Sequence, residues 1–456
     1  MTIEDPSGPG GELTSELIPG PDAQPAPGAE VRPRRGGLWH DMDFRRLWIG
    51  ETVSQFGTFI SQLALPLVAI LVLHASTFQV GLLATFEMLA FLVVGLPAGA
   101  WVDRMRYRWV LIVNDLIRAA ALGSIPLAQL LGVLTIGQLY VVALLTGVCT
   151  VFFDVAYQSY LPQLVDRSAL VEGNSKLQAS ESVSQIAGPG IGGLLIQALT
   201  APYAVLVDAL SFLWSAGWVA AIRQRPPKPA RKADRNLMRE IGEGLRFVVG
   251  NRLLRSIAAC TGSSNLFSNI AFPVYYILLA RELHLSAGII GLFTSIAAVG
   301  GLIGSLFASK FAAKVGQGPA IWISAFMGGP TAFIVPFTHR NWTLVVLALG
   351  QLMMWAWIVV YNITQVSFRQ GLCPPDLLGR MNATMRFLVW GTIPLGAFLG
   401  GVLGATIGVR ETLVVAAIGG SLAWLPVYFS PLRSMRELPK YVPDNETESS
   451  LAESTT

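Results

Sequence analysis

Charged residues are scarce in this chain. Of 456 residues 13% are Asp, Glu, Lys or Arg, and 53% are hydrophobic. A soluble domain carries roughly 25% charged residues, so this shortage, with a mean hydropathy of +0.55, points to an integral membrane protein. Cysteine is almost absent. Cys149 and Cys260 fall in apolar runs and Cys373 in a short loop. The odd number and the wide spacing exclude a disulfide framework and a zinc site. His40, His74, His284 and His339 are scattered at the ends of apolar runs, with no HExxH-like pairing. No P-loop occurs, and no Gly-x-Gly-x-x-Gly leads out of a strand pattern. We therefore expect no metal, no cofactor, no direct use of ATP and no enzymatic activity. The first residues, 1–43, are rich in Pro, Gly and acids and lack an apolar core. They are not a signal peptide, and a disordered tail is expected there.

What the chain does have is apolar runs. A spanning helix needs about 20 mostly apolar residues. On that basis spans fall near 45–73, 78–102, 109–130, 135–158, 174–199 and 202–222. A second set falls near 253–280, 286–312, 318–338, 342–366, 377–407 and 410–431. The expected fold is an all-α membrane protein with twelve transmembrane helices. Its organisation is a tail (1–43), a six-helix half (44–222), a basic linker (223–252), a second six-helix half (253–432) and a polar tail (433–456).

The isoelectric point near 9.0 does not imply nucleic acid, because Lys and Arg cluster between the apolar runs. The linker holds Arg223, Arg225, Lys228, Arg231, Lys232, Arg235, Arg239 and Arg246. Other basic loops hold Arg45/Arg46, Arg104/Arg106/Arg108, Lys310/Lys314 and Arg433/Arg436, whereas the alternate loops are nearly free of positive charge. The positive-inside rule places both termini and the linker in the cytoplasm, in an inner (cytoplasmic) membrane. The two sets also repeat each other. Gly192-Gly193 follow Asn174 by the same intervals as Gly400-Gly401 follow Asn382, and Pro189 and Pro394 precede the two glycine pairs.

Gly188-Pro189-Gly190-Ile191-Gly192-Gly193 lies inside one such run. Proline within a helix removes a backbone hydrogen bond, and closely spaced glycines let another helix approach backbone to backbone. A kinked helix with a smooth packing face is expected. The stretch resembles the antiporter motif of exporters in the major facilitator superfamily, carried on their fifth helix. A second stretch, Gly99-Ala-Trp-Val-Asp103-Arg104-Met-Arg106-Tyr-Arg108, resembles that superfamily's signature loop after the second helix, with Arg106 and Tyr107 departing from its pattern. Further stretches resemble its macrolide-efflux and enterobactin-exporter branch. They include Ala64-Leu65-Pro66-Leu67, Asn114-Asp115-Leu-Ile-Arg118, Leu161-Pro162-Gln163-Leu164-Val165 and Asp208-Ala-Leu-Ser211-Phe212. The resemblance implies two pseudo-repeat halves, a substrate site between them and export of a small molecule by alternating access.

Ionisable groups within spans are costly and face the bundle interior. Asp115 and Arg118 are three apart and can pair locally. With Gly99, Asp103, Arg104, Arg108 and Asp154 they are expected to form a conformational latch. Asp208 reads as shallow and structural. Glu51, Gln55, Thr58 and Gln62 recur at helical spacing as a polar stripe. Glu181 lies on a stripe with Asn174, Gln178 and Gln185, and Glu87 stands among Phe86, Met88, Leu89 and Phe91. Proton exchange needs an intramembrane acid, so Glu87, Glu51 and Glu181 are the candidates. Asn265, Asn269 and Tyr276 in the seventh span, Trp355, Asn362 and Gln365 in the tenth, and Arg386 in the eleventh are candidate cavity residues. The expected function is a secondary exporter of a lipophilic drug-like or siderophore-like compound by proton antiport, monomeric in the bilayer. A lipid or lysophospholipid translocator is the alternative within transport, and a non-transporting membrane scaffold or sensor is the alternative outside it.

Overall fold

The computed structural model describes residues 38–102, 104–166, 169–223, 237–374 and 377–437. Most of both expected tails and the proline-rich part of the linker lie outside these residues, as does Asp103. Among the described residues every regular element is helical.

The first half begins with α1 (Met42–Leu67), which runs on through a π turn (Val68–Val72). Asp41 caps it, accepting from the amides of Asp43 and Phe44, which satisfies donors that an open helix end leaves free. Then come α2 (Thr77–Val93), α3 (Gly95–Val102), α4 (Tyr107–Leu130), α5 (Ile136–Leu164), α6 (Leu170–Leu199) and α7 (Ala201–Ala220). Ser76 and Gln79 form a capping box at the start of α2. The second half follows α8 (Leu237–Gly250), a helix inside the expected linker. It comprises α9 (Arg252–Ile277) with a π turn (Leu278–Glu282), α10 (Ala287–Val315), α11 (Gln317–Gly328), α12 (Thr343–Leu372), α13 (Leu378–Trp390), α14 (Thr392–Thr406), α15 (Val409–Leu422) and α16 (Leu425–Tyr428).

Among the described residues eight stretches are long and apolar enough to cross a membrane alone; they include the eleventh and twelfth expected spans, whereas the second, fifth, seventh and ninth fall outside the set. Four spans are assembled from pieces. The second is α2 with α3, and the ninth is α11 with a 3-10 turn (Pro330–Ile334). The eleventh is α13 with α14, and the twelfth α15 with α16. The physical reason for the breaks is proline, which cannot donate to the carbonyl four residues back. Pro97, Pro330, Pro394 and Pro426 each stand one to three residues beyond a break. The helix α6, by contrast, runs unbroken through Pro189.

Within the first half α1 packs on α6 and α7, α4 on α5 and α7, and α2 on α5. In the second, α10 packs on α12, and α9 on α14 and α15. Two seams join the halves: α6 against α10, and α2 against α14. Both depend on missing side chains. A Cβ on Gly193 would overlap the Ala287 carbonyl, and one on Gly291 the Pro189 carbonyl. In the other seam a Cβ on Gly81 would overlap the Gly401 backbone. The arrangement repeats at a nearly constant interval of sequence. Gly401 is 208 residues after Gly193, and Gly291 is 210 after Gly81. The α6 motif therefore has two working faces. Pro189 and Gly193 meet the other half, while Gly188 and Gly192 meet Phe59 and Ile60 of α1. The corresponding Gly396 and Gly400 meet Leu266 and Ile270 of α9.

Buried apolar residues form three clusters, and their membership shows which end is shut. One, at the end away from the basic loops, draws on both halves: Leu63, Leu67 and Ile70 with Val274, Ile277 and Leu278. At the basic end the other two are each confined to one half. Phe44, Leu111 and Tyr160 belong to the first half, and Leu254, Phe368 and Met385 to the second. The halves are thus sealed together at one end and separate at the basic end.

Candidate functional site

Polar and charged side chains near the middle of the spans remain open to solvent where the halves part. Asp154 on α5, Glu181 on α6, Asn362 on α12 and Arg386 on α13 are all exposed, as are Gln62 and Trp355. An exposed charge at that position in a spanning helix faces a water-filled cleft, because lipid would not tolerate it. The first-half wall is acidic. Gln55 Nε2 donates to Glu51 Oε1 at 3.0 Å, and Gln178 Nε2 donates to Glu181 Oε2 at 3.1 Å. Asp154 acts electrostatically on Arg118, Arg386 and Glu181, so the last two reach the same region from different halves. Arg386 lies over the Trp390 ring at 4.5 Å from the centroid, a cation–π contact.

Behind that wall is a fully enclosed ion pair. Arg118 Nη2 donates to Asp115 Oδ1 at 2.5 Å, and the residues are 4% and 0% exposed. The guanidinium is held between the rings of Phe153 (4.4 Å) and Phe212 (4.0 Å). Planar guanidinium suits such stacking where an ammonium does not. Asp208, read from sequence as shallow and structural, is 1% exposed and accepts from Ser211 Oγ at 3.1 Å. Gly57 on α1 makes room for it: a Cβ there would overlap Ser211 and stand 2.5 Å from Asp208 Oδ1.

The expected latch residues separate in this conformation. Asp103 lies outside the described residues, Gly99 lies in α3, and Arg104 is exposed. Arg108 turns to the carbonyls of Val219 (3.2 Å) and Ala220 at the end of α7. A cation there complements the helix's negative end. Among the described residues of the set, Asp115 and Arg118 pair with each other, and Asp154 reaches them only electrostatically, through Arg118.

The expected cavity residues also divide. Thr58 Oγ1 donates to the Ser54 carbonyl at 3.1 Å, the ordinary back-bond of a helical threonine. Asn265 Nδ2 donates to the Val389 carbonyl at 3.1 Å, bracing the α13 end of the broken span, and Asn269 Nδ2 donates to the Asn265 carbonyl at 2.8 Å. Tyr276 is buried in the sealed end rather than open to the cleft. Gln365 is also buried, and its Oε1 has no partner. Glu87 is half-buried on α2 and acts electrostatically on Tyr276 of the other half.

Sequence reasoning missed two groups. The first is Arg281 in the second π turn, whose Nη2 donates across the seal to the Ile70 carbonyl of the first π turn at 2.9 Å. A π turn shifts each bond one residue further along. The second is a set of buried polar atoms without partners, beside the Oε1 of the expected Gln55: Trp48 Nε1, Thr52 Oγ1 and the Tyr157 hydroxyl. A legible signal existed for Tyr157, which follows Asp154 by three residues and so shares its helix face. α7 carries a shallow apolar groove, lined by Leu213, Trp214, Gly217, Trp218 and Ala221.

A model of the transmembrane secretion effector family matches residues 38–454. The multidrug efflux pump Tap of Mycolicibacterium fortuitum is 27% identical, over 80% of this chain and 90% of its own length. Macrolide efflux protein A of Streptococcus pyogenes is 23% identical, over 82% and 92%. The enterobactin exporter EntS of Citrobacter koseri is 24% identical, over 88% and 95%. Among solved structures, a bacterial homologue of the iron transporter ferroportin, in an inward-facing state, superimposes with a TM-score of 0.71 at 16% identity. It covers 86% of this chain and 98% of its own. Two six-helix halves joined by paired seams, and a matched family model over nearly the whole chain, lead to one conclusion: the protein is a multi-pass membrane transporter of the transmembrane secretion effector family, with the major facilitator fold.

Proposed function

We propose that the protein is a secondary exporter that moves a lipophilic small molecule, drug-like or siderophore-like, out of the cell in exchange for protons. The observation that carries this reading is the cleft, open at the basic end and lined in mid-span by Asp154, Glu181 and Arg386. The similarity to Tap, to macrolide efflux protein A and to the enterobactin exporter supports the direction of transport and the class of cargo. The charge distribution supports an orientation with the basic loops and both termini in the cytoplasm, in the cytoplasmic membrane. In that orientation the cleft faces the cytoplasm, where cargo is collected. The two halves, 44–222 and 253–432 with the linker 223–252 between them, rock about the glycine seams to give alternating access. The carrier works as a monomer, since the site is built within one chain.

Coupling is assigned to an intramembrane acid, with Glu87 first, Glu51 second and Glu181 third. Glu87 stands where the two halves meet, opposite Tyr276. An acid there changes its surroundings each time the halves rock. The test is export by purified protein in liposomes under an imposed pH gradient. Glu87→Gln keeps shape and hydrogen bonding but removes titration. It should abolish gradient-driven export while binding persists. Wild-type coupling in Glu87→Gln transfers the role to Glu51 or Glu181. Wild-type coupling in all three glutamine variants sinks carboxylate antiport at these sites and favours a lipid translocator.

A further inference from the structure

The cleft has a sign. Around Glu51 and Asp154 the charged groups in electrostatic reach are Asp115 and Arg118 from α4, Glu181 from α6 and Arg386 from α13. Asp115 and Arg118 neutralise each other in their buried pair. Three carboxylates, Glu51, Asp154 and Glu181, then stand against one cation, Arg386, which is itself laid over Trp390. All three acids act electrostatically on the hydroxyl of Tyr157, which is buried and has no hydrogen-bond partner. Gln55 Oε1, one turn from Glu51, is likewise buried and unpartnered. Buried polar atoms left unsatisfied in a native fold are costly, and a ligand that brings hydrogen bonds or charge relieves them. Trp355 and Trp390 are both exposed. Aromatic faces of this kind attract cations and reject anions.

We propose that the wall formed by Glu51, Asp154 and Glu181 around Tyr157 recognises the positive centre of a lipophilic cation, and that lipophilic anions are excluded from the same cleft. This rests on the export reading above and narrows its cargo, removing polyanionic siderophore-like compounds and keeping amine-bearing ones. Arg386 then has a defined part. In the empty carrier it partly offsets the acidic wall, and an incoming cation takes over that task. An anion would meet three carboxylates of its own sign, and opposing buried charges is how binding sites reject a wrong partner.

The test uses the full chain in nanodiscs of neutral lipid and three probes. Tetraphenylphosphonium and tetraphenylborate share size and shape and differ in the sign of charge. Chloramphenicol is a neutral lipophile. Equilibrium binding to the wild type should favour the phosphonium over the borate by at least tenfold. Glu51→Gln with Asp154→Asn should weaken phosphonium binding by tenfold or more and leave chloramphenicol binding unchanged. Arg386→Ala should tighten it. The comparison of the two ions on the wild type needs no substitution, so a misfolded variant does not blunt it. Equal or tighter binding of the borate overturns the cation assignment. So does an undiminished affinity for the phosphonium in the double variant. If chloramphenicol binds in either of those cases, the export reading stands without this inference. Binding of none of the three probes overturns both.

Discussion

The two halves of this protein share their packing and differ in their chemistry. Gly188, Gly192 and Gly193 in α6 do for the first half what Gly396, Gly400 and Gly401 in α14 do for the second: two meet the half's own leading helix, and the third meets the opposite half. Both leading helices end in a π turn, and His74 and His284 after them take nearly the same left-handed conformation (φ 50° and 49°). Charge breaks the likeness. Glu51, Glu87, Asp115, Asp154, Glu181 and Asp208 all lie in the first half, while mid-span in the second stands Arg386. Backbone repetition sets how the halves move against each other. What they bind and exchange depends on the side chains that the repeat does not copy.

The largest effect should come from breaking the shared part. Gly193→Val and Gly401→Val place atoms inside the partner backbone, so transport should fall by roughly tenfold or more in each while membrane insertion persists. Gly188→Val and Gly192→Val, which separate α6 from α1, should do the same. Gly217→Val has no neighbour within 4 Å to meet, and should transport at close to the wild-type rate. If Gly193→Val is silent and Gly401→Val is not, the seams are not equivalent.

Charge is the unshared part, and its deepest element is Arg118. Arg118→Met strands Asp115 in an apolar interior, which costs about 3–5 kcal/mol. Adding Asp115→Asn should restore much of that loss. Thermal unfolding in detergent measures both, and equal stability of the single and double variants would argue against the pair as a unit.

A smaller effect is expected at the seal. Arg281→Ala removes one hydrogen bond between the halves, about 1 kcal/mol. The sealed end should open more often, read as faster labelling of a cysteine placed at Leu67, which is fully buried in the seal. The smallest concerns Arg380, paired to Glu243 of α8 at 2.6 Å with both side chains 38% exposed. Such an exposed pair is worth under about 1 kcal/mol, so Arg380→Ala should change stability and transport little. A large loss would give α8 a role in the cycle that its pairing does not suggest.

Much of the fold was legible because a bilayer imposes a length on apolar runs, and each expected span has a helical counterpart. The breaks in the second, ninth, eleventh and twelfth spans were not anticipated, although the prolines beyond them were in view. Periodicity reports which side of a helix is apolar and is silent on whether backbone bonds continue. The glycine repeat was readable from constant spacing alone. Its division into two faces was not, because facing depends on which helix lies opposite. What packs against Asp208 was hidden for the same reason. Position along a span says nothing of a glycine, Gly57, waiting across from it. Arg108 was grouped with a latch by its motif, and in this conformation it donates to the last carbonyls of α7, a partner that no motif spells out. Glu51, Asp154, Glu181 and Arg386 were each in view as charges within apolar runs, but their approach to one another comes only from the geometry. Tyr157 went unnoticed because an aromatic residue in an apolar run looks like filling.

The seal has one further consequence. Arg281 is held by the peptide carbonyl of Ile70 rather than by a carboxylate. A carbonyl does not titrate, and it survives any substitution at position 70 that keeps the π turn. Acid therefore cannot release this bond by neutralising its acceptor. Any acid sensitivity of the sealed end has to enter elsewhere, as at Glu282, which closes the same π turn and pairs with Arg410.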